Sequence, residues 1–215
     1  MNKTVAIEGK NSLFIAGQAY LYNDDTTIDR AWAERYIEPN PAIKWVLGKF
    51  VEADNANNNK QFWSLADLEM GQPTIQHAPM NMLHRPRNIV GAYVATDLLF
   101  PIDTATEQVM NPYIEALAAF WAYYFPQELA MIEDADANGS LFFSMECVAK
   151  NMICEGEHGC KESFAYVGAD SDTYCEHLRA HASIRHLSEP HFLGGALIIP
   201  PVRPGWSNAV VKSLS

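Results

Sequence analysis

The chain has 215 residues, 48% of them hydrophobic and 19% charged, a composition typical of one globular domain and unlike that of a disordered or fibrous protein. Its formal net charge of -11 repels phosphate backbones, which argues against nucleic acid as a partner. No segment predicts a membrane span or a secretory signal, so we expect a single cytosolic domain over residues 1–215, with candidate flexible ends at 1–11 and 200–215.

The first half of the chain predicts strands with short helices between them. Apolar and aromatic runs indicate strands at residues 12–22 and 42–53, separated by a short helix at 27–36. The tract at 54–60 is rich in asparagine and is therefore a predicted loop. A capped helical turn follows at 64–69, and a further strand is expected at 89–100.

The second half is less uniform. Residues 113–134 have the apolar spacing of a helix, although Pro126 allows a strand followed by a helix, and periodicity alone leaves both open. We then expect a strand that begins near Phe142, a polar loop with Cys154 and Cys160, a helix at about 172–182 and a strand at 192–199.

A serine and a carboxylate lie two residues apart in the predicted strand FFSMEC at 142–147. Alternate residues of a strand face the same side, so Ser144 and Glu146 would project together while their neighbours pack the other way. The earlier segment PMNMLH ends in His84, which supplies a candidate base for a serine nucleophile. Together the two segments predict a serine hydrolase.

The motifs of this chain, taken in order, resemble those of the head maturation proteases of tailed bacteriophages, whose fold is similar to that of herpesvirus assemblin. The matching pieces, with weaker agreement in NNNKQFWSLADL, are PMNMLH followed by IVGAYV, then LFFSMEC, then FLGGALIIPPVRPGWSNAV. The likeness covers about residues 12–210. It implies a mixed α/β fold, a mainly antiparallel β-barrel flanked by helices, and it favours a strand through about Tyr123 with a helix from about Pro126.

The resemblance also implies an activity, namely a serine endopeptidase that works inside the immature phage head in the host cytoplasm. Its substrates would be the scaffold protein, the major capsid protein, the portal protein and its own ends. Ser144 would attack the scissile carbonyl and His84 would take its proton, with no cofactor required. Assemblins are activated by dimerisation, so a homodimer is a further expectation.

A third residue usually orients the base of such a site. We predict Glu146 for this role, because it shares a face with Ser144. Assemblins have a second histidine instead, which leaves three rivals, His158, His177 and His181. His77 is the alternative to His84 as the base, and the candidates for stabilising the oxyanion are Arg179, Arg185 and the pair Gly194–Gly195.

All four cysteines fall in the last third of the chain, and in a reducing compartment they would be free thiols or metal ligands before disulfides. Cys154, His158, Cys160 and Cys175 have the ligand types of a structural zinc site, although their spacing is irregular and incidental thiols in a polar loop are the alternative. Zinc would pin the loop after the serine strand. Cys147 is expected to be a core residue.

Three other functions compete with the protease. The first is a non-catalytic capsid or scaffold-assembly protein that retains the fold. The second is a zinc-binding interaction module centred on the cysteines. An esterase of small molecules is disfavoured, because no G-x-S-x-G motif surrounds Ser144.

Overall fold

A computed structural model describes residues 31–38, 40–103, 106–168, 171–202 and 211–214. The helices are α1 (Ala31–Glu34), α2 (Leu65–Gly71), α3 (Pro126–Ala137) and α4 (Glu176–Arg179). The strands are β1 (Lys44–Glu52), β2 (Gln61–Phe62), β3 (Pro79–Met82), β4 (Ile89–Leu99), β5 (Tyr113–Phe120), β6 (Phe142–Glu155), β7 (Ser163–Ala165), β8 (Ile184–Ile198) and β9 (Val211–Leu214). The protein is therefore mixed α/β and dominated by strands.

The strands form one sheet in the order β7-β6-β8-β3-β4-β5-β1-β9, with the short β2 paired to β8. Neighbours are antiparallel except where β3 and β2 run parallel to β8. Within the described ranges, β7 and β9 are the two ends of this order and do not pair with each other. The closed barrel that we expected is therefore not supported, because closure requires a pairing between the terminal strands.

The core lies on both sides of the central strands. Val46 and Phe50 of β1 belong to the larger hydrophobic cluster, whereas Trp45 and Leu47 belong to a smaller one. This split follows from the alternation of side chains along a strand, and it explains why all nine residues of β1 are buried. In the larger cluster, the ring of Phe50 packs edge-on against three other aromatic rings.

None of the described helices is long and apolar enough to span a membrane.

Several predicted elements are confirmed. The strand predicted at 42–53 is β1, the strand at 89–100 is β4, and residues 54–60 form turns. Ser64 caps α2 as expected. Residues 113–134 divide into β5 and α3, with Pro126 at the start of the helix, where proline lacks only a hydrogen bond that a first turn leaves unmade.

Other elements differ from the predictions. The serine strand continues to Glu155, so that Cys154 lies in β6 and not in a polar loop, and β8 begins at Ile184 instead of 192. The helix expected at 172–182 is reduced to α4, because Tyr174 anchors a turn through hydrogen bonds of its hydroxyl to the backbone of residues 167 and 168. The strand predicted at 12–22, residues 27–30 of the first helix and residues 203–210 of the tail lie outside the described residues.

A histidine between two carboxylates ties α2 to the sheet. His186 of β8 places Nε2 2.7 Å from Asp67 Oδ2 and Nδ1 2.9 Å from Glu155 Oε1. Asp67 also completes the capping box of α2 with Ser64 and accepts the backbone N–H of Glu189 at 2.9 Å. One half-buried imidazole therefore joins the start of α2 to β6 and β8.

These contacts change two pKa values. Burial alone would lower the pKa of His186, but its hydrogen bonds to Asp67 and Glu155 outweigh burial and raise it above 6.5. Burial alone would raise the pKa of Asp67, but hydrogen bonds from His186, Ser64 and the backbone lower it from 3.8 to about 2. Since the pKa of His186 is raised on folding, its contribution to stability is complete below 6.5 and is lost as the pH rises through the folded-state value. The contribution of Asp67 is complete above 3.8 and is lost as the pH falls through about 2.

We predict that His186→Gln lowers the free energy of unfolding by about 1–3 kcal/mol at about pH 5, since it removes a charge-assisted pair of bonds. The difference from the wild-type protein should shrink at alkaline pH, where His186 is neutral in both states. Urea unfolding of both proteins, from about pH 5 to alkaline pH, measures this difference in the free energy of unfolding. The exposed His158→Gln is the control, and an equal loss at acid and alkaline pH would contradict the ion-pair account.

Candidate active site

Ser144 and Glu146 lie on the same face of β6, as the alternation of the strand predicts. Opposite them in β8 are Ala196 and Gly194. On the other face, Phe143 is buried in the core, and burial raises the pKa of Cys147 to about 12. Cys147 is partly buried and packs against the core cluster, and its thiol is not a competing nucleophile.

His84 follows β3 in a turn of unusual backbone conformation. Leu83 and His84 both have φ of 56°, in the left-handed region, which costs about 1–2 kcal/mol for each residue with a side chain. The turn is held by hydrogen bonds from the Leu83 N–H to the Leu197 carbonyl and from the Arg85 N–H to the Met82 carbonyl, both 3.0 Å. Strained backbone conformations that the surrounding structure holds in place are common at active sites and ligand-binding sites, where they orient a side chain.

Small residues in β8 lie between the histidine turn and the serine strand. β8 lies between β3 and β6, so the imidazole must cross it to reach the serine. At the crossing β8 carries Gly194, Gly195 and Ala196. A side chain at Gly195 would overlap the Tyr93 hydroxyl, and one at Gly194 would lie 2.6 Å from the Pro79 carbonyl oxygen. These glycines therefore serve the packing beneath the site.

The three predicted residues meet in one hydrogen-bonded chain. His84 Nε2 lies 2.8 Å from Ser144 Oγ, and His84 Nδ1 lies 2.8 Å from Glu146 Oε1. The histidine and glutamate side chains are 41% and 34% exposed, so both are accessible to solvent. A carboxylate can only accept, so neutral His84 carries its proton on Nδ1 and offers the lone pair of Nε2 to the serine hydroxyl.

A fourth polar residue, which sequence analysis missed, completes this network. The amide nitrogen of Asn81 donates to Glu146 Oε1 at 2.9 Å, and Asn81 is 2% exposed. The only sequence signal is its position, a polar residue within the apolar strand β3, three residues before His84. The buried Tyr93 lies nearby, and its pKa is raised well above 10 by burial and further by the charge of Glu146.

The rival histidines lie elsewhere. His77 is exposed in the turn before β3, His158 is exposed in the turn after β6, and His181 contacts Arg185. Arg185, a candidate for the oxyanion, pairs with Cys154 and so lies ten residues along β6 from Ser144. Its backbone lies beside the thiol cluster, and its side chain lines a cavity that Glu146 also lines.

A cluster of three thiols and one imidazole lies at the other end of β6. The ligand atoms of Cys154, Cys160, Cys175 and His177 all lie within 4.8 Å of one another. His158, expected as the fourth member, is replaced by His177, because Cys175 caps α4 and brings the first turn of that helix to the cluster. All four cysteines of the chain are free thiols.

Hydrogen bonds lower the pKa of the Cys154 thiol. Burial alone would raise its pKa, but the Ser183 hydroxyl at 3.2 Å and the Cys160 backbone N–H at 3.3 Å lower it below its ordinary value. Burial raises the pKa of Cys175 to about 11. Thiolate and imidazole ligands at these separations fit a tetrahedral metal with metal–sulfur bonds of about 2.3 Å.

Comparison of this chain with protein-family models, with curated protein sequences and with solved structures finds no match. Its function is therefore inferred from the site and from the sequence motifs.

We predict that nitrogen NMR of the His84 ring finds Nδ1 protonated and Nε2 unprotonated in the neutral form. Glu146→Leu should remove this preference, because the acceptor at Nδ1 is lost. Glu157→Leu, which removes an exposed carboxylate elsewhere, should leave the tautomer unchanged. A wild-type ring protonated on Nε2 would contradict the proposed order of hydrogen bonds.

Proposed function

We propose that this protein is a serine hydrolase in which Ser144 is the nucleophile, His84 the general base and Glu146 the group that orients the base. The observation that carries the proposal is the position of the imidazole, 2.8 Å from the serine oxygen on one side and 2.8 Å from a carboxylate oxygen on the other. Such a chain is the arrangement that activates a serine hydroxyl near neutral pH.

The chemistry follows from this order of contacts. His84 Nε2 takes the hydroxyl proton as Ser144 Oγ bonds to the substrate carbonyl carbon, and Glu146 stabilises the imidazolium that forms. The imidazolium then returns the proton to the leaving group, which departs and leaves an acyl-enzyme. Water, deprotonated by the same imidazole, hydrolyses the acyl-enzyme and restores the serine.

The narrower proposal is an endopeptidase of phage head maturation. It is supported by the order of motifs that resemble those proteases, and by the fact that the site is assembled from the histidine and serine motifs among them. On this proposal the fold is assemblin-like and the protein acts inside the immature head in the host cytoplasm. Its substrates are the scaffold, major capsid and portal proteins and its own ends, and a homodimer is one candidate for the active form. The chief alternative is a capsid or scaffold-assembly protein that does not use the triad.

We predict that a fluorophosphonate probe labels the wild-type protein and fails to label Ser144→Ala. His84→Ala should slow labelling by about a hundredfold or more, in the range of general-base catalysis. Gel fluorescence after timed reaction gives the rate constants.

Ser163→Ala is the matched control, because Ser163 is an exposed serine in β7, and it should react like the wild-type protein. Equal labelling of wild type and Ser144→Ala would reject the nucleophile. Absence of labelling in all variants would favour the non-catalytic alternative.

We further propose that Cys154, Cys160, Cys175 and His177 hold a structural zinc ion. The cluster joins β6, the loop after it and α4, a helix of four residues that is too short to be stable by itself. Four protein ligands complete a tetrahedral site and leave no position for a reactive water, so the metal would stabilise this region and take no part in hydrolysis.

Purified without chelators, the protein should contain about one zinc ion per chain, as a closed structural site requires. Cys160→Ser and His177→Ala should lose the metal and unfold at lower temperature, whereas His158→Ala should keep it. Elemental analysis and thermal unfolding measure both. Zinc well below one equivalent in the wild-type protein, or equal loss in His158→Ala, would reject this ligand set.

A further inference from the structure

Asn81 occupies a position in the sheet where it can act on the triad without touching substrate. It belongs to β3, which lies between β4 and β8, and it pairs with Ala196, the residue that pairs with Ser144 on the far side of β8. A backbone ladder therefore connects Asn81 rigidly to the serine. Its side chain is 2% exposed, so it has little freedom to move.

The side-chain hydrogen bond of Asn81 is directed at one atom of the triad. Its amide nitrogen donates to Glu146 Oε1 at 2.9 Å, the same oxygen that lies 2.8 Å from His84 Nδ1. The nitrogen must face the glutamate, since a carboxylate accepts and does not donate. The glutamate is thereby fixed with this oxygen towards the imidazole.

The amide oxygen of Asn81 destabilises the folded protein. Its Oδ1 is buried and has no hydrogen-bond partner among the described residues, and an unsatisfied buried oxygen destabilises the folded state. A leucine of similar volume would avoid this penalty. Stability alone therefore gives no reason for an asparagine here, whereas the bond to Glu146 does.

We propose that Asn81 is a positioning residue, which holds the Glu146 carboxylate so that His84 keeps its Nε2 lone pair on Ser144. This inference rests on the hydrolase function proposed above. Asn81 acts in three ways through one bond: it orients the carboxylate, it donates a hydrogen bond from a buried amide to a charged oxygen, and it thereby favours the tautomer that the base requires.

A double-mutant cycle on the fluorophosphonate labelling rate tests this role. Asn81→Leu should slow labelling about ten- to a hundredfold, the range expected for a lost charge-assisted hydrogen bond. In a Glu146→Ala background the same substitution should have less than about a twofold effect, because the side-chain hydrogen bond through which Asn81 acts on the triad is gone. Thermal unfolding of Asn81→Leu should occur at or above the wild-type temperature.

Two further variants complete the design. Asn81→Ala serves as a smaller replacement if leucine disturbs packing, and it should slow labelling to a similar degree. Asn111→Leu removes another asparagine–glutamate hydrogen bond, to Glu52 at 3.3 Å, and should label at the wild-type rate.

The possible outcomes distinguish the positioning role of Asn81 from the proposed hydrolase function. A wild-type protein that is labelled at Ser144, with Asn81→Leu within twofold of its rate, overturns the positioning role alone. Equal slowing by Asn81→Leu with and without Glu146 also overturns it, since the effect would not pass through the carboxylate. A wild-type protein that is not labelled at Ser144 overturns the hydrolase and this role together.

Discussion

The imidazole of His84 joins two parts of the chain that are 60 residues apart, and every chemical property of the site depends on this bridge. The bridge is possible because the strands lie in the order β6-β8-β3, so that only β8 separates the serine strand from the strand that leads to His84. The left-handed turn at Leu83 and His84 orients the ring, and backbone hydrogen bonds to Leu197 of β8 and Met82 of β3 hold that turn. The sheet therefore supplies rigidity where the hydrogen-bonded chain needs it.

The two long strands β6 and β8 have a different group of interacting side chains at each end. Near Ser144 the side chains of serine, histidine and glutamate form one hydrogen-bonded chain. Ten residues further along β6, about 33 Å at the usual rise of a strand, Cys154 belongs to the thiol cluster. Between the cluster and α2, His186 bridges Asp67 and Glu155. Strong local interactions thus hold a region whose own helix and strand, α4 and β7, are too short to be stable alone.

Local patterns predicted some of this arrangement and missed the parts that depend on long-range pairing. The alternation around Ser144 placed Glu146 beside it, and Pro126 marked the division between β5 and α3, because both signals act within a few residues. Nothing in the sequence states that β3 lies two strands from β6, so the contact of Asn81 with Glu146 was not foreseen. His158 is the predicted fourth ligand because it lies between Cys154 and Cys160 in the sequence, whereas the turn before α4 brings His177 to the cluster. The prediction of a closed barrel is not supported for the same reason, since closure depends on which distant strands pair.

Acylation of Ser144 by an activated ester tests the central claim most directly. Mixed with p-nitrophenyl acetate, the protein should release a burst of nitrophenol equal to the concentration of sites, as expected when acylation is faster than deacylation. Mass spectrometry after an acid quench should then locate the acetyl group on the peptide that contains Ser144. A burst that persists in Ser144→Ala, or an acetyl group found on another residue, would contradict the account.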